Sequence, residues 1–297
     1  MNLQEFVGKM AREPANDATV TVYRGHANRA YTLKPNVFRR TPYIENEHVL
    51  LRELVAMHPD QFATDQSTLE MLVRMQHYSL PTRLLDVSWN PLVALYFAAQ
   101  PKRTQIRRKG APGRDRFEAD GEVVRLVVDK ALVRYFDSDT VSLLANLARC
   151  DPGMKADIRR LVSTARDDDA GKEAFNGEKP VKRLLHFVRG EKPAFDPDIV
   201  PSDLSRTLLV KPKLSNRRIL AQEGCFFVFG LVEEMRPTGV PGVRVERIRI
   251  PADDKLEILA ALSRVAVNER TMFPEIERAA KYLTDGLSTT AILSRSI

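Results

Sequence analysis

Apolar positions recur at helical spacing on one side of a polar segment and run almost unbroken on the other. Ser67-Thr68-Leu69-Glu70 has the spacing of a capping box, in which the Ser67 hydroxyl and the Glu70 carboxylate meet the first unpaired amides of a helix. Leu69, Leu72, Val73 and Gln76 follow at that spacing, so a helix starts at Ser67. Pro81 disfavours helical dihedrals at Leu80, which places the helix end near Tyr78. Downstream, Asn90 suits an N-cap and Pro91 a first helical position, and Leu92 to Ala99 is apolar nearly all round. A helix of that kind is buried. The residues from His77 to Trp89 read as a loop pinned between the two helices.

The same reading gives a short helix over Leu3 to Met10 and a strand over Thr19-Val20-Thr21-Val22-Tyr23, ended by Gly25. Leu33, Pro35, Val37 and Phe38 belong to a connection, and Glu45 to Met57 to a helix. Glu122 to Val128 is β-branched almost throughout, the pattern of a central strand buried on both faces. From Asp129 to about Pro201 the runs are helical (Val141 to Ala148, Ile158 to Ala165, Val181 to Val188) and read as a helical insertion. Strands return at Thr207 to Val210, Gly224 to Leu231 and Val243 to Ile250, with closing helices near Asp254 to Ser263 and Pro274 to Leu283. The class is α+β, a sheet assembled from distant segments within one domain over residues 1–297.

Composition narrows the function classes. Hydrophobic residues make up 43% of the 297, enough for a sizeable core. No apolar stretch reaches membrane-spanning length, and Met1-Asn2-Leu3-Gln4-Glu5 lacks the layout of a signal peptide. The expectation is a cytoplasmic protein with no membrane partner. Cys150 and Cys225 form no metal-ligand spacing and read as buried apolar residues. The net charge of +7 is uneven: residues 101–117 hold seven basic side chains against one acid, so six of the seven charges lie there. With Gly110, Pro112 and Gly113 among them, this is a surface loop, either solvated or contacting the phosphates of a nucleic acid.

Three segments carry candidate chemistry. Arg24 follows the first strand and precedes Gly25 and His26; a fork-shaped cation there can clamp a phosphate, and a glycine admits a ligand to the backbone. A surface ion pair would explain Arg24 equally well. Between the helices, Gln76, His77 and Tyr78 offer an amide, an imidazole and an aromatic face, while Thr82, Arg83 and Asp86 offer a hydroxyl, a cation and an anion. For His77 and Tyr78 a ligand contact and a capped-helix or core role are equally open, while Arg83 and Asp86 read first as an ion pair that fixes the loop. Third, Gln222 and Glu223 stand against an apolar strand beginning at Gly224, where a solvated turn would explain them as well as a ligand contact.

Taken together and in this order, the three segments resemble the FRG domain family of bacterial and phage proteins, named for a Phe-Arg-Gly motif. The motif appears as Tyr23-Arg24-Gly25, followed by Leu33, Pro35 and Arg39 of a Leu-x-Pro-x-x-x-Arg pattern. The central signature stands at Gln76 to Asp86, an Arg-Ile-x-x-Gln-x-Gly-x-Phe pattern at Arg218, Ile219, Gln222, Gly224 and Phe226, and a late Phe-Pro at Phe273-Pro274. The resemblance extends over about residues 20 to 284. Tyr23 stands for the usual Phe, Ser79 for Gly, and Val87-Ser88 for Trp-Thr, with Trp89 two places later.

FRG domains are distantly similar to the ADP-ribosyltransferase fold, which binds NAD in the cleft of a split sheet. The resemblance implies NAD as substrate and breakage of its glycosidic bond through an oxocarbenium-like centre. Arg24 would hold phosphate or ribose, Gly25 and His26 the carboxamide, Tyr78 would stack on nicotinamide, and Gln222 or Glu223 would orient the ribose. His77, Thr82 and Arg83 complete the expected NAD contacts. The implied protein is a toxin or anti-phage effector acting on a nucleic acid or protein, with RNA or DNA reached through the Lys102–Arg116 loop and an antitoxin as a further partner. The alternative is a non-catalytic module that senses a nucleotide or phage-derived ligand and acts through a protein.

Overall fold

The computed structural model describes residues 1–12, 16–106, 115–214 and 216–275. Helix α1 (Leu3–Ala11) precedes strand β1 (Thr19–His26). Helices α2 (Thr41–Met57), α3 (Pro59–Phe62) and α4 (Thr68–His77) lead to β2 (Leu84–Ser88) and α5 (Pro91–Ala98). Strands β3 (Arg103–Ile106) and β4 (Asp115–Glu118) form a separate antiparallel pair. The segment expected as a basic loop therefore has strands at both its ends, while Arg107, Arg108, Lys109 and Arg114 lie outside the described residues.

Next come β5 (Gly121–Asp129) and β6 (Val133–Tyr135), then α6 (Asp139–Asn146), α7 (Pro152–Thr164), α8 (Asp169–Gly177) and α9 (Lys179–Arg189). The chain continues through β7 (Thr207–Lys211), α10 (Arg217–Ala221), β8 (Gly224–Phe229), β9 (Gly239–Val240) and β10 (Val243–Ile250) to α11 (Lys255–Arg264) and α12 (Glu269–Met272). The closing helix expected over Pro274 to Leu283 lies outside the described residues beyond 275. The helical insertion is not purely helical, since β6 adds a strand parallel to β7 at the sheet edge.

Eight strands make one mixed sheet in the order β6-β7-β8-β2-β1-β5-β10-β9. Its halves meet weakly. β1 is paired with β5 along its whole length, from Thr19 opposite Asp129 to His26 opposite Glu122, yet meets β2 at the single pair Tyr23 and Ser88. One face stays continuous across that seam through Val22, Leu85, Val87, Val124, Leu126, Cys225, Phe227 and Phe229. On the other face the cover divides. Leu84, Leu208, Phe226 and Val228 pack under α4, α6, α7 and α9, whereas Val123, Ile248 and Ile250 pack under α1, α5 and α11. Alternate residues of each strand thus serve two separate layers, and the gap between the layers opens over the seam.

Both flanking helices form for the expected reasons. Asn90 Oδ1 accepts from the Leu92 amide at 2.9 Å, Pro91 takes the first helical position, and Val93, Ala94, Leu95, Tyr96 and Ala98 are buried. Ser67 Oγ accepts from the Glu70 amide at 3.3 Å, but the Glu70 carboxylate reaches back to the Gln66 amide at 2.6 Å, one residue short of a strict capping box. At the other end of α4, the Ser79 amide donates to Gln76 O and the Leu80 amide to Met75 O, both at 3.0 Å, with Ser79 at φ 65°. This is a Schellman turn, which favours glycine at its left-handed position. No helix among the described residues is long and apolar enough to cross a membrane.

Candidate functional site

A cleft of about 290 Å³ lies at the seam. Arg24 and Gly25 come to it from β1, Gln76 and His77 from the end of α4, Asp86 and Ser88 from β2, Phe97 from α5, and Arg218 and Gln222 from α10 and its cap. The chain segment expected as a loop is strand β2 over Leu84–Ser88, held by β8 from Leu84 opposite Val228 to Ser88 opposite Gly224. That pairing fixes Asp86 as rigidly as any strand residue.

Arg24 is the centre of a hydrogen-bonded chain. Its Nη1 donates to the Asp86 carbonyl and lies 4.0 Å from the Asp86 carboxylate. Its Nε donates to His26 Nε2 at 3.2 Å, so that nitrogen accepts and the proton sits on Nδ1, which donates to Glu122 Oε1 at 3.0 Å. Arg247 closes the chain on the same carboxylate. Burial lowers the pKa of His26, against the opposing pull of Glu122, and also lowers that of Arg24, against Asp86. A neutral His26 and a partly desolvated guanidinium follow, the second a strong anion ligand because little water competes for it.

Across the cleft, Gln76 Nε2 donates to Asp86 Oδ1 at 2.6 Å, and Thr82 Oγ1 donates to Gln76 Oε1. The Asp86 side chain remains 59% exposed and carries the sole carboxylate among the residues lining this cleft. The Gln222 carbonyl accepts from Ser88 Oγ at 2.7 Å, and its side-chain amide donates to Met272 O at 2.9 Å. His77 Nδ1 lies 3.6 Å from Glu275 without a hydrogen bond, and desolvation lowers its pKa.

The expected residues therefore separate. Arg24, Gly25, His77 and Gln222 line one cleft. Gly25 serves packing as well: a Cβ there would stand 2.0 Å from Ala94 O, so glycine lets β1 approach α5. His26, 2% exposed, lies behind Arg24 and orients it. Tyr78 is turned out of the cleft, edge-on to His77 with ring centroids 5.1 Å apart. Thr82 is buried and acts through Gln76. Glu223, at φ 43°, makes the turn into β8 and accepts from Asn90 Nδ2 at 2.8 Å, bracing α5 away from the cleft.

The expected Arg83–Asp86 pair does not form. Arg83 points to the other side of β2, into the core, where Nε and Nη2 donate to Glu47 at 2.9 and 2.6 Å and Nη1 donates to the carbonyls of Phe229 and Gly230. Lys155 Nζ completes the cluster at 2.6 Å from Glu47. In a strand, residues three apart fall on opposite faces, which is why Arg83 and Asp86 cannot meet. Arg83 belongs to the scaffold and not to the cleft. Gln76, Asp86, Asn216 and Arg218 line the cleft without having been expected as ligand contacts; the signal for Asp86 was its place in a β-strand, hidden by the prolines and polar residues around it.

Among the described residues no group of His, Cys, Asp and Glu could hold a metal ion. Residues 19–106 match the family model of the FRG domain, a span running from β1 through β3 that includes Tyr23-Arg24-Gly25 and Gln76 to Asp86. Gln222 and the rest of its segment lie outside the matched residues and join the site through the pairing of β8 with β2. Neither the curated proteins nor the solved structures yield a match to this chain.

Proposed function

We propose that the cleft binds NAD and that the protein transfers its ADP-ribose to a macromolecular acceptor, as a toxin or anti-phage effector. The observation that supports this reading is the meeting of Arg24, Asp86, His77 and Gln222 at the parting of one sheet. Arg24 holds a pyrophosphate oxygen. The Asp86 carboxylate, kept in place by Gln76, faces the ribose and stabilises the positive charge that develops at its anomeric carbon. The C1′–N bond breaks and nicotinamide leaves with the electron pair. The acceptor's lone pair forms the new bond to C1′, and its proton passes to His77, which is neutral because burial lowers its pKa. In this scheme Asp86 takes the ribose-orienting role expected of Gln222 or Glu223, and Gln222 supplies a wall of the ribose pocket.

Incubation with labelled NAD and cell extract tests the reading. Nicotinamide release and label transfer are expected, with Asp86→Asn lowering the rate by roughly 100-fold. A second reading, a non-catalytic sensor of a nucleotide or phage-derived ligand acting through a protein partner, is favoured by one observation: the Gln222 amide is already engaged by Met272 O. Calorimetric binding of NAD with neither release nor transfer would select the sensor.

A further inference from the structure

Beside the cleft lies a second cavity of about 350 Å³, and the two share Val73, His77, Asn216 and Arg218 as a common wall. Its volume falls within the range of roughly 300–1,000 Å³ of small-molecule sites. Of the cations that line it, Arg74 is held by Asp65 at 2.7 Å and Lys213 by Glu70 at 2.6 Å. Arg217 and Arg218 meet no carboxylate in salt-bridge distance among the described residues; Arg218 lies over the Phe273 ring at 4.9 Å, with Arg217 exposed beside it. Tyr78 presents an aromatic ring at the same cavity with 56% of its surface exposed. One further carboxylate, Glu275, lines the cavity 3.6 Å from His77, so the two guanidinium groups leave a net positive charge there. With the exposed ring they are the complement of a phosphate joined to a planar base, because a cation neutralises the phosphate and any base can stack on the ring.

We infer that the second cavity receives a nucleotide unit of a single-stranded nucleic acid, its base on Tyr78 and its phosphate on Arg217 and Arg218. Calling that strand the acceptor rests on the ADP-ribosyl-transfer reading of the neighbouring cleft; the binding site itself does not. A protein acceptor would need no stacking ring beside two cations. The shared wall at His77 explains why the two sites adjoin, since an acceptor group on one side must reach the anomeric carbon on the other.

The test is fluorescence anisotropy with fluorescein-labelled single-stranded RNA and DNA hexanucleotides over a range of salt, beside labelled-NAD transfer by the wild type. Tyr78→Ala is expected to weaken hexanucleotide binding by at least about fivefold. Arg217→Ala is expected to reduce the slope of log affinity against log salt by about 0.7, the signature of one lost phosphate contact on a single strand. Arg160→Ala, an exposed arginine on α7, serves as the control and leaves binding unchanged. Equal affinity in all four proteins overturns the inference even if NAD is turned over. Variant-sensitive binding without NAD turnover upholds the nucleic-acid site and removes ADP-ribosyl transfer.

Discussion

Replacing Arg83 by methionine should destabilise the fold severely, although that residue does not line the cleft. The side chain is 1% exposed as a residue and donates four hydrogen bonds, two of them to Glu47. Removing the cation strands a buried carboxylate with Lys155 as its remaining partner, and breaking a buried pair in this way costs about 3–5 kcal/mol. A second route gives a similar size. Arg83 and Lys155 outweigh the desolvation that would raise the pKa of Glu47, and hold it down to about 2. Against an ordinary value near 4.5, that difference corresponds to about 3 kcal/mol at neutral pH. The sign follows: a carboxylate with a depressed folded pKa contributes fully above its unfolded pKa, and the contribution is lost as pH falls from about 4.5 toward 2. For a chain of this size, about 2–4 °C per kcal/mol translates the loss into a Tm lower by roughly 6–20 °C. Circular dichroism melts at pH 7 and at steps down to pH 3 measure both effects. The triple change Glu47→Leu, Arg83→Met, Lys155→Met should recover most of the stability, because it removes the stranded charge along with the pair. A Tm drop under about 2 °C for Arg83→Met, or a triple variant no better than the single, would show that the cluster does not hold the sheet.

Ser79→Gly should raise stability by up to about 1 kcal/mol, read as a higher urea midpoint, because the left-handed backbone at φ 65° strains any residue with a Cβ. Gly25→Ala should lower stability by about 3 kcal/mol or more in the same assay, since the added Cβ meets backbone atoms of α5 that cannot rotate away. Cys150 and Cys225 should both resist Ellman's reagent in the folded protein and react after denaturation: each is fully buried, and burial pushes the Cys150 thiol up to about 12 and the Cys225 thiol higher still.

What the chain discloses in advance depends on how local the cause is. The ends of α4 and α5 follow from caps and prolines within a few residues of each other, and β5, β8 and β10 from runs of β-branched and aromatic residues. Strand β2 does not, because five residues carrying Asp and Ser between two prolines look like a turn until β8 pairs with them. Sequence proximity also misleads about partners. Arg83 was set against Asp86, three residues away, while its carboxylate is Glu47, which reaches it only after α2 packs on the sheet. Gln222 and Glu223 are adjacent and chemically similar, and only the left-handed turn at Glu223 sends one to the cleft wall and the other to Asn90.

The seam between β1 and β2 gives Arg24 two obligations. In a continuous sheet the Asp86 carbonyl would accept from a neighbouring strand's amide; here it accepts from the Arg24 guanidinium, so a side chain stands where backbone would. Nη1 carries a second N–H and Nη2 two more, so an anion can be held while the first N–H stays on that carbonyl. The group offered to the cleft is thus the one that fastens the two half-sheets, and an anion bound there would brace the seam.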